Sequence, residues 1–90
     1  MQIAVWDTYV EREDGITMHF DILVSKDLTD ENRVFSYGQQ YLGTKTFNTG
    51  KLTSNECRFC HVQSVQTEVE DEIRTKGYFI VEMENCSYFN

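Results

Sequence analysis

The chain is predicted to fold as a single α+β domain over residues 1–90, with its elements in the order ββαβαβ. Three observations lead to this class: apolar residues alternate with period two at both ends, helical spacing lies between, and an Asp-Gly pair separates the first two alternating stretches. Together they predict a small mixed sheet with an N-terminal hairpin and two helices packed mainly on one face. Because the later strands follow helices, at least one parallel pairing is expected.

The two strands of the hairpin are predicted over residues 2–10 and 16–24. Asp14 and Gly15 between them tolerate positive φ, which indicates a two-residue turn. That turn sets a register in which Tyr9 lies opposite Phe20, so that the apolar stripes of the two strands coincide.

A first helix is predicted to begin at the N-cap Thr29 and to end at Leu42, before Gly43. Its apolar face repeats at helical spacing and consists of Val34, Phe35, Gly38, Tyr41 and Leu42. The polar segment 44–56 that follows is long for so small a domain, and such connections are often functional.

A short strand over residues 58–65, a helix that opens at Thr67 and ends before Gly77, and a strand over residues 78–83 complete the prediction. The last of these strands is the most apolar in the chain. It is therefore predicted to be central in the sheet and covered on at least one face.

Composition and charge exclude some classes of binding partner. The net charge of −7 repels phosphate, so neither nucleic acid nor an anionic membrane is expected to bind. No apolar run approaches the roughly 18 residues that a membrane span needs, and residues 1–10 do not resemble a secretory signal. A cytoplasmic location is expected, where thiols stay reduced. The 3 cysteines, an odd number, argue against a disulfide framework.

Residues 57–61 spell Cys-Arg-Phe-Cys-His, the pattern C-x-x-C-H, which is the feature most suggestive of chemistry. Covalent haem attachment is one meaning of this pattern. That modification belongs to exported chains, and a macrocycle is large for a core of this size. Haem is therefore not expected.

A zinc-type metal site is the second meaning, because two thiolates and an imidazole are good zinc ligands. Cys86 or His19 would complete a set with Cys57, Cys60 and His61. Residues three apart on an extended strand point to opposite faces, so such a site requires a turn or a helical turn at the motif.

Thiol redox chemistry is the third meaning, since Arg58, His61 and a helix N-terminus can lower the pKa of a thiol. A thioredoxin-like motif, however, follows a strand and opens a long helix, whereas this motif follows a long loop. The alternative without chemistry is that Phe59, Cys60 and Val62 pack in the core.

A second polar group lies on the hairpin, where the predicted register puts Thr8, His19 and Asp21 on one face. A histidine and an aspartate two residues apart on a strand can fix an imidazole tautomer for acid–base work, although such pairs also occur on ordinary solvated faces. Asp7 falls on the apolar face opposite Ile22, where a carboxylate requires hydrogen bonds or a cation.

Four blocks of sequence carry a resemblance to a known family: residues 4–10 (AVWDTYV), 18–22 (MHFDI), 56–61 (ECRFCH) and 77–83 (GYFIVEM). In these blocks the chain resembles a family of small bacterial proteins classed as a domain of unknown function, number twenty twenty-four. The resemblance runs nearly end to end and implies a compact α+β domain from bacteria. It implies no established activity, ligand or catalytic residue.

The sequence contains no complete catalytic set, which favours a non-enzymatic binding or interaction module with a protein or small-molecule partner. Metal binding is the first alternative, and a thiol redox protein is the second. The positions of Cys57, Cys60, His61, Cys86 and His19 discriminate between these hypotheses, because a metal site requires three or more donors to converge.

Overall fold

The computed structural model describes residues 1–87, so residues 88–90 of the predicted domain lie outside the described part. The elements are β1 (Gln2–Glu11), β2 (Thr17–Ser25), α1 (Glu31–Leu42), β3 (Cys57–Ser64), α2 (Thr67–Lys76) and β4 (Phe79–Glu84). The α+β class and the order ββαβαβ are confirmed.

The described strands form one sheet in the spatial order β3-β1-β2-β4, and every pairing between them is antiparallel. The expected parallel pairing is therefore wrong. The long segment 43–56 lets the chain return to the free edge of β1 before β3 begins. The helix α2 then carries the chain to the free edge of β2, which makes β4 an edge strand instead of the predicted central one.

The hairpin turn holds three residues, 13–15, instead of the predicted two. The backbone N–H of Arg12 donates to the carbonyl of Ile16 at 2.9 Å, and Gly15 has a φ of 83°. This is the geometry of a three-residue hairpin loop whose last residue is left-handed. The extra loop residue shifts the register of the whole hairpin by one.

The shift changes which side chains lie opposite each other. Tyr9 is paired with His19 and not with Phe20, and Asp7 is paired with Asp21. The carboxylate of Asp7, which the predicted register placed opposite an apolar residue, therefore lies opposite a second carboxylate.

A helix covers each face of the sheet, so the expectation that both helices pack mainly on one face is wrong. The larger core lies between α1 and one face of the hairpin and includes Trp6, Phe20, Ile22, Val34 and Leu42. The smaller core lies between α2 and the other face and consists of Ile3, Val5, Leu23 and Ile73. Residues 3–6 of β1 are buried without interruption, because apolar side chains on both faces need cover.

The helix ends follow local signals in the sequence. Asp30, one residue after the predicted N-cap, caps α1 by accepting a hydrogen bond from the N–H of Asn32 at 3.0 Å. Gly77 ends α2 in the left-handed conformation, with a φ of 98°. Within residues 1–87, no helix has the length and apolar character needed to cross a membrane.

Candidate functional site

The helix α2 covers only half of the sheet face on which it lies. It has 10 residues and a length of about 15 Å, whereas β1, also of 10 residues, spans about 33 Å. The half that α2 covers is the apolar one. The other half, which we term the open half-face, presents Asp7, Tyr9, His19 and Asp21 from the hairpin and Arg58 and Cys60 from β3.

Asp7, His19 and Asp21 form a compact group on the open half-face. Nε2 of His19 lies 3.6 Å from Oδ1 of Asp21 and 3.9 Å from Oδ1 of Asp7. One potential ligand atom from each residue lies within 4.8 Å of the other two. The observed register creates this group, because it puts Asp7 directly opposite Asp21 and diagonal to His19.

The ring of Tyr9 screens one side of this group from solvent. It stacks on the imidazole of His19 with ring centroids 4.1 Å apart and planes 10° apart. Tyr9 itself is 51% exposed. The face of the imidazole is therefore covered, while the Nε2 edge is directed toward the two carboxylates.

The electrostatics of the group favour a cation. Burial, reinforced by the hydrogen bond and charge of Asp7, raises the pKa of Asp21 to about 6, and His19 and His61 act in the opposite direction. Nε2 of His19 and Oδ1 of Asp21 are both inaccessible to solvent and have no hydrogen-bond partner within the described residues. Buried polar atoms without partners are costly, so a ligand that satisfied both would stabilise the site.

A β-bulge in β3 brings a thiol and a second imidazole to the same face. Cys60 is the extra residue, between Phe59 and His61 in the register with β1. The Sγ of Cys60 lies 3.2 Å from Nδ1 of His61. Its hydrogen bond with Asp7, followed by burial and the charges of Asp7 and Asp21, raises the pKa of the thiol. This direction is opposite to the lowered pKa that the thiol redox alternative invokes.

The other two cysteines lie in the core beneath α1, on the opposite side of the sheet. Cys57 and Cys86 are each 1% exposed, and burial raises the pKa of Cys57. The thiol of Cys86 donates to the carbonyl of His19 at 3.4 Å. Because the motif lies on an extended strand and not on a turn, Cys57 and Cys60 point to opposite faces. Of the five predicted metal ligands, the described structure places only His19 in a group of three converging donors.

Thr8 does not join the polar group in which the sequence placed it. It is fully buried on the α1 side of the sheet, where its hydroxyl contacts Cys57. The one-residue change of register explains the correction: Asp7 takes the predicted place of Thr8 beside His19 and Asp21.

A cleft of about 550 Å³ borders the group on its β3 side, within the size range of small-molecule sites. Arg58 lies at its rim, where Nε donates to the carbonyl of Ser54 at 3.1 Å. The cleft is lined by Asp7, Tyr9, Asn55, Glu56, Arg58, Phe59 and Cys60. Asn55, Glu56 and Tyr9 were not predicted as site residues, although the long polar segment 44–56 was a signal for the first two.

A four-stranded antiparallel sheet with a helix on each face and a polar group on its open half-face defines a small α+β domain with a potential binding site. This chain belongs to the family described as "Domain of unknown function (DUF2024)", which it matches over residues 1–83. The resemblance seen in the four sequence blocks is thereby confirmed.

A solved structure is similar over nearly the whole chain. It is the NMR structure of protein NE1680 from Nitrosomonas europaea, which is 40% identical, with a TM-score of 0.78; the match covers 97% of this chain and 100% of that chain. A comparison with curated proteins gives no match. Family and fold follow from these likenesses, and function has to be argued from the site.

Proposed function

We propose that this protein is a non-enzymatic binding module whose ligand is a divalent transition-metal ion of the zinc type, held by Asp7, His19 and Asp21. The convergence of three donor atoms within 4.8 Å carries the proposal. Two of the three residues contribute a buried donor atom without a hydrogen-bond partner in the described structure.

The distances from His19 to the two carboxylates are slightly longer than those between the ligands of a zinc site. Zinc lies about 2.0–2.2 Å from nitrogen and oxygen ligands, so two ligands of a tetrahedral site are about 3.3–3.6 Å apart. The His19–Asp21 and His19–Asp7 distances of 3.6 and 3.9 Å are close to that range. Side-chain movements of a few tenths of an ångström would therefore bring Nε2 of His19 into range of both carboxylates.

The charge and chemistry of the donors favour the same class of ion. Two carboxylates balance a divalent cation, and an ion between Asp7 and Asp21 would replace their mutual repulsion with attraction. The imidazole of His19 suits zinc, copper, iron or nickel, whereas calcium and magnesium prefer six or more oxygen ligands.

Three protein ligands would leave at least one coordination position for a further ligand. The cleft beside Asp7, which Cys60 also lines, borders that position. We further propose that the protein acts in the cytoplasm, where its three free thiols would stay reduced.

Isothermal titration of chelator-treated protein with Zn²⁺, and with Mg²⁺ for comparison, tests the proposal. We expect one Zn²⁺ per chain, with at least about a tenfold loss of affinity in Asp21→Asn and His19→Gln. The matched control is Asp27→Asn, an exposed carboxylate outside the site, which should bind like the wild type. A wild-type protein that takes up no Zn²⁺, or equal weakening by Asp27→Asn, would overturn the site.

A further inference from the structure

The bulge in β3 directs the side chains of Cys60 and His61 to the face of the sheet that carries the proposed site. Arg58 is paired with Asp7, and Cys60, two residues later, points to the same face by strand alternation. In a regular strand the next side chain, His61, would point away. The bulge instead pairs His61 with Val5 on this face, and its Nδ1 lies 3.2 Å from Sγ of Cys60.

The thiol of Cys60 therefore lies between the group formed by Asp7, His19 and Asp21 and the imidazole of His61. On one side it lies beside Asp7, a member of the group, with which it lines the same cleft. On the other it contacts His61, whose Nε2 lies 2.7 Å from Oε1 of Gln63. Cys60 is exposed and lines the cleft, so an ion or solute that enters the cleft reaches the thiol.

We propose that Cys60 supplies a thiolate as the fourth protein ligand of the ion, beside Asp7, His19 and Asp21. This inference rests on the proposed function and deepens it. A thiolate selects soft or borderline cations such as Zn²⁺ and Co²⁺ over Mg²⁺ and Ca²⁺. Binding would release the thiol proton, because the ligand is the deprotonated sulfur.

The side chain of Cys60 can reach the ion by rotation about χ1. A change of χ1 between two staggered positions moves a cysteine Sγ by about 3 Å. Cys60 and Asp7 line the same cleft, and the exposed side chain of Cys60 is free to rotate toward the ion. Cys57 cannot take this role, because it is buried on the opposite face of β3.

Titration of the reduced, chelator-treated protein with Co²⁺, followed by absorption, tests the assignment. A thiolate ligand produces sulfur-to-cobalt charge transfer in the near ultraviolet, which oxygen and nitrogen ligands do not. We expect this band in the wild type and its loss in Cys60→Ser, with Co²⁺ affinity lowered about tenfold or more. Cys60→Asp should bind Co²⁺ without the band, because it replaces the thiolate with a carboxylate.

Cys57→Ala is the matched control from the same motif, and it should keep both the band and the affinity. Co²⁺ binding without the band, or a band that survives in Cys60→Ser, overturns the assignment of Cys60 and leaves the three-residue site standing. A wild-type protein that binds no Co²⁺ overturns the site and the fourth ligand together.

Discussion

At the scale of single residues, the pairing of Asp7 with Asp21 is the arrangement that folding alone does not explain. Like charges directly opposite each other destabilise a sheet, and the imidazole of His19 is the nearest nitrogen group to both carboxylates. Proteins retain such locally unfavourable arrangements mainly where function requires them. The pair is therefore consistent with the proposed metal site, where a bound cation would offset the repulsion.

Asp21→Asn is expected to stabilise the metal-free protein at neutral pH. Burial, and then Asp7, raises the pKa of Asp21 from 3.8 to about 6, so the folded protein holds this proton more tightly than the unfolded chain does. The contribution of Asp21 to the free energy of unfolding should therefore fall as the pH rises from about 4 to about 6. The variant should lack this fall and gain about 1 kcal/mol at pH 7, a value reduced by solvent screening.

Urea unfolding of both proteins from pH 4 to pH 7 measures this difference. The titratable groups that interact with Asp21 are Asp7, His19, His61 and Cys60, and they remain in the variant. Asp27→Asn serves as the control and should follow the wild-type profile. Parallel profiles for Asp21→Asn and the wild type would contradict the raised pKa.

Thr8→Val should leave Zn²⁺ affinity unchanged and alter the free energy of unfolding by no more than about 1 kcal/mol. The side chain is buried on the α1 side of the sheet, and its hydroxyl donates to the carbonyl of Trp6 at a long 3.5 Å. Valine has nearly the same shape. Calorimetric titration and urea unfolding check both parts, and a clear loss of Zn²⁺ affinity would contradict the observed register.

At the scale of elements, two local irregularities build the site. The three-residue turn 13–15 sets the register that brings Asp7 to Asp21, and the bulge at Cys60 adds a thiol and an imidazole to the same face. Each irregularity involves a single residue. Because side chains in a strand alternate with period two, one residue is enough to move a side chain to the other face.

Gly77→Ala should lower the free energy of unfolding by about 1–2 kcal/mol. Gly77 ends α2 with a φ of 98°, which is strained for any residue with a Cβ. A Cβ there would also lie 2.9 Å from Cζ of Tyr37 and closer still to its hydroxyl. Thermal or urea unfolding measures the loss.

Gly50→Ala is the matched control for that substitution. A Cβ at Gly50 would meet nothing within 4 Å, and the residue has no positive φ. Its effect on stability should stay within about 0.5 kcal/mol. Equal decreases in the free energy of unfolding of the two variants would contradict a specific role of the left-handed conformation of Gly77 in ending α2.

At the scale of the whole molecule, the sheet is a central layer with one core on each side. The larger core beneath α1 extends along the hairpin, whereas α2 covers only the half that contains Ile3, Val5 and Leu23. A short helix over a long hairpin leaves the open half-face, so the site results from the mismatch in length between two elements.

Zn²⁺ binding should stabilise the whole fold, because the three ligands lie on both central strands. At a free concentration 100 times Kd, the free energy of unfolding should rise by about 2.7 kcal/mol, or roughly 10–20 °C in Tm for a domain of this size. Thermal unfolding with and without Zn²⁺ measures the shift. His19→Gln should show little of it, and an equal shift in that variant would place the bound ion elsewhere.

The sequence by itself determined the class, the order of the elements and the apolar face of α1, because these depend on local periodicity. It also placed His19 and Asp21 together, since residues two apart on a strand share a face in any register. Asp7 could not be added to them from sequence, because its position depends on the number of residues in the turn.

Only the tertiary structure decided the register of the hairpin and the antiparallel pairing of the edge strands β3 and β4. It also decided that the helices lie on opposite faces of the sheet and that Cys57 and Cys60 point to opposite faces. Each of these depends on contacts between residues far apart in the chain, or on a one-residue irregularity that a hydrophobic pattern does not record. Both faces of β1 are apolar near its start, so the pattern alone favours neither face for α2. Packing of the complete chain makes that choice, and the open half-face is its consequence.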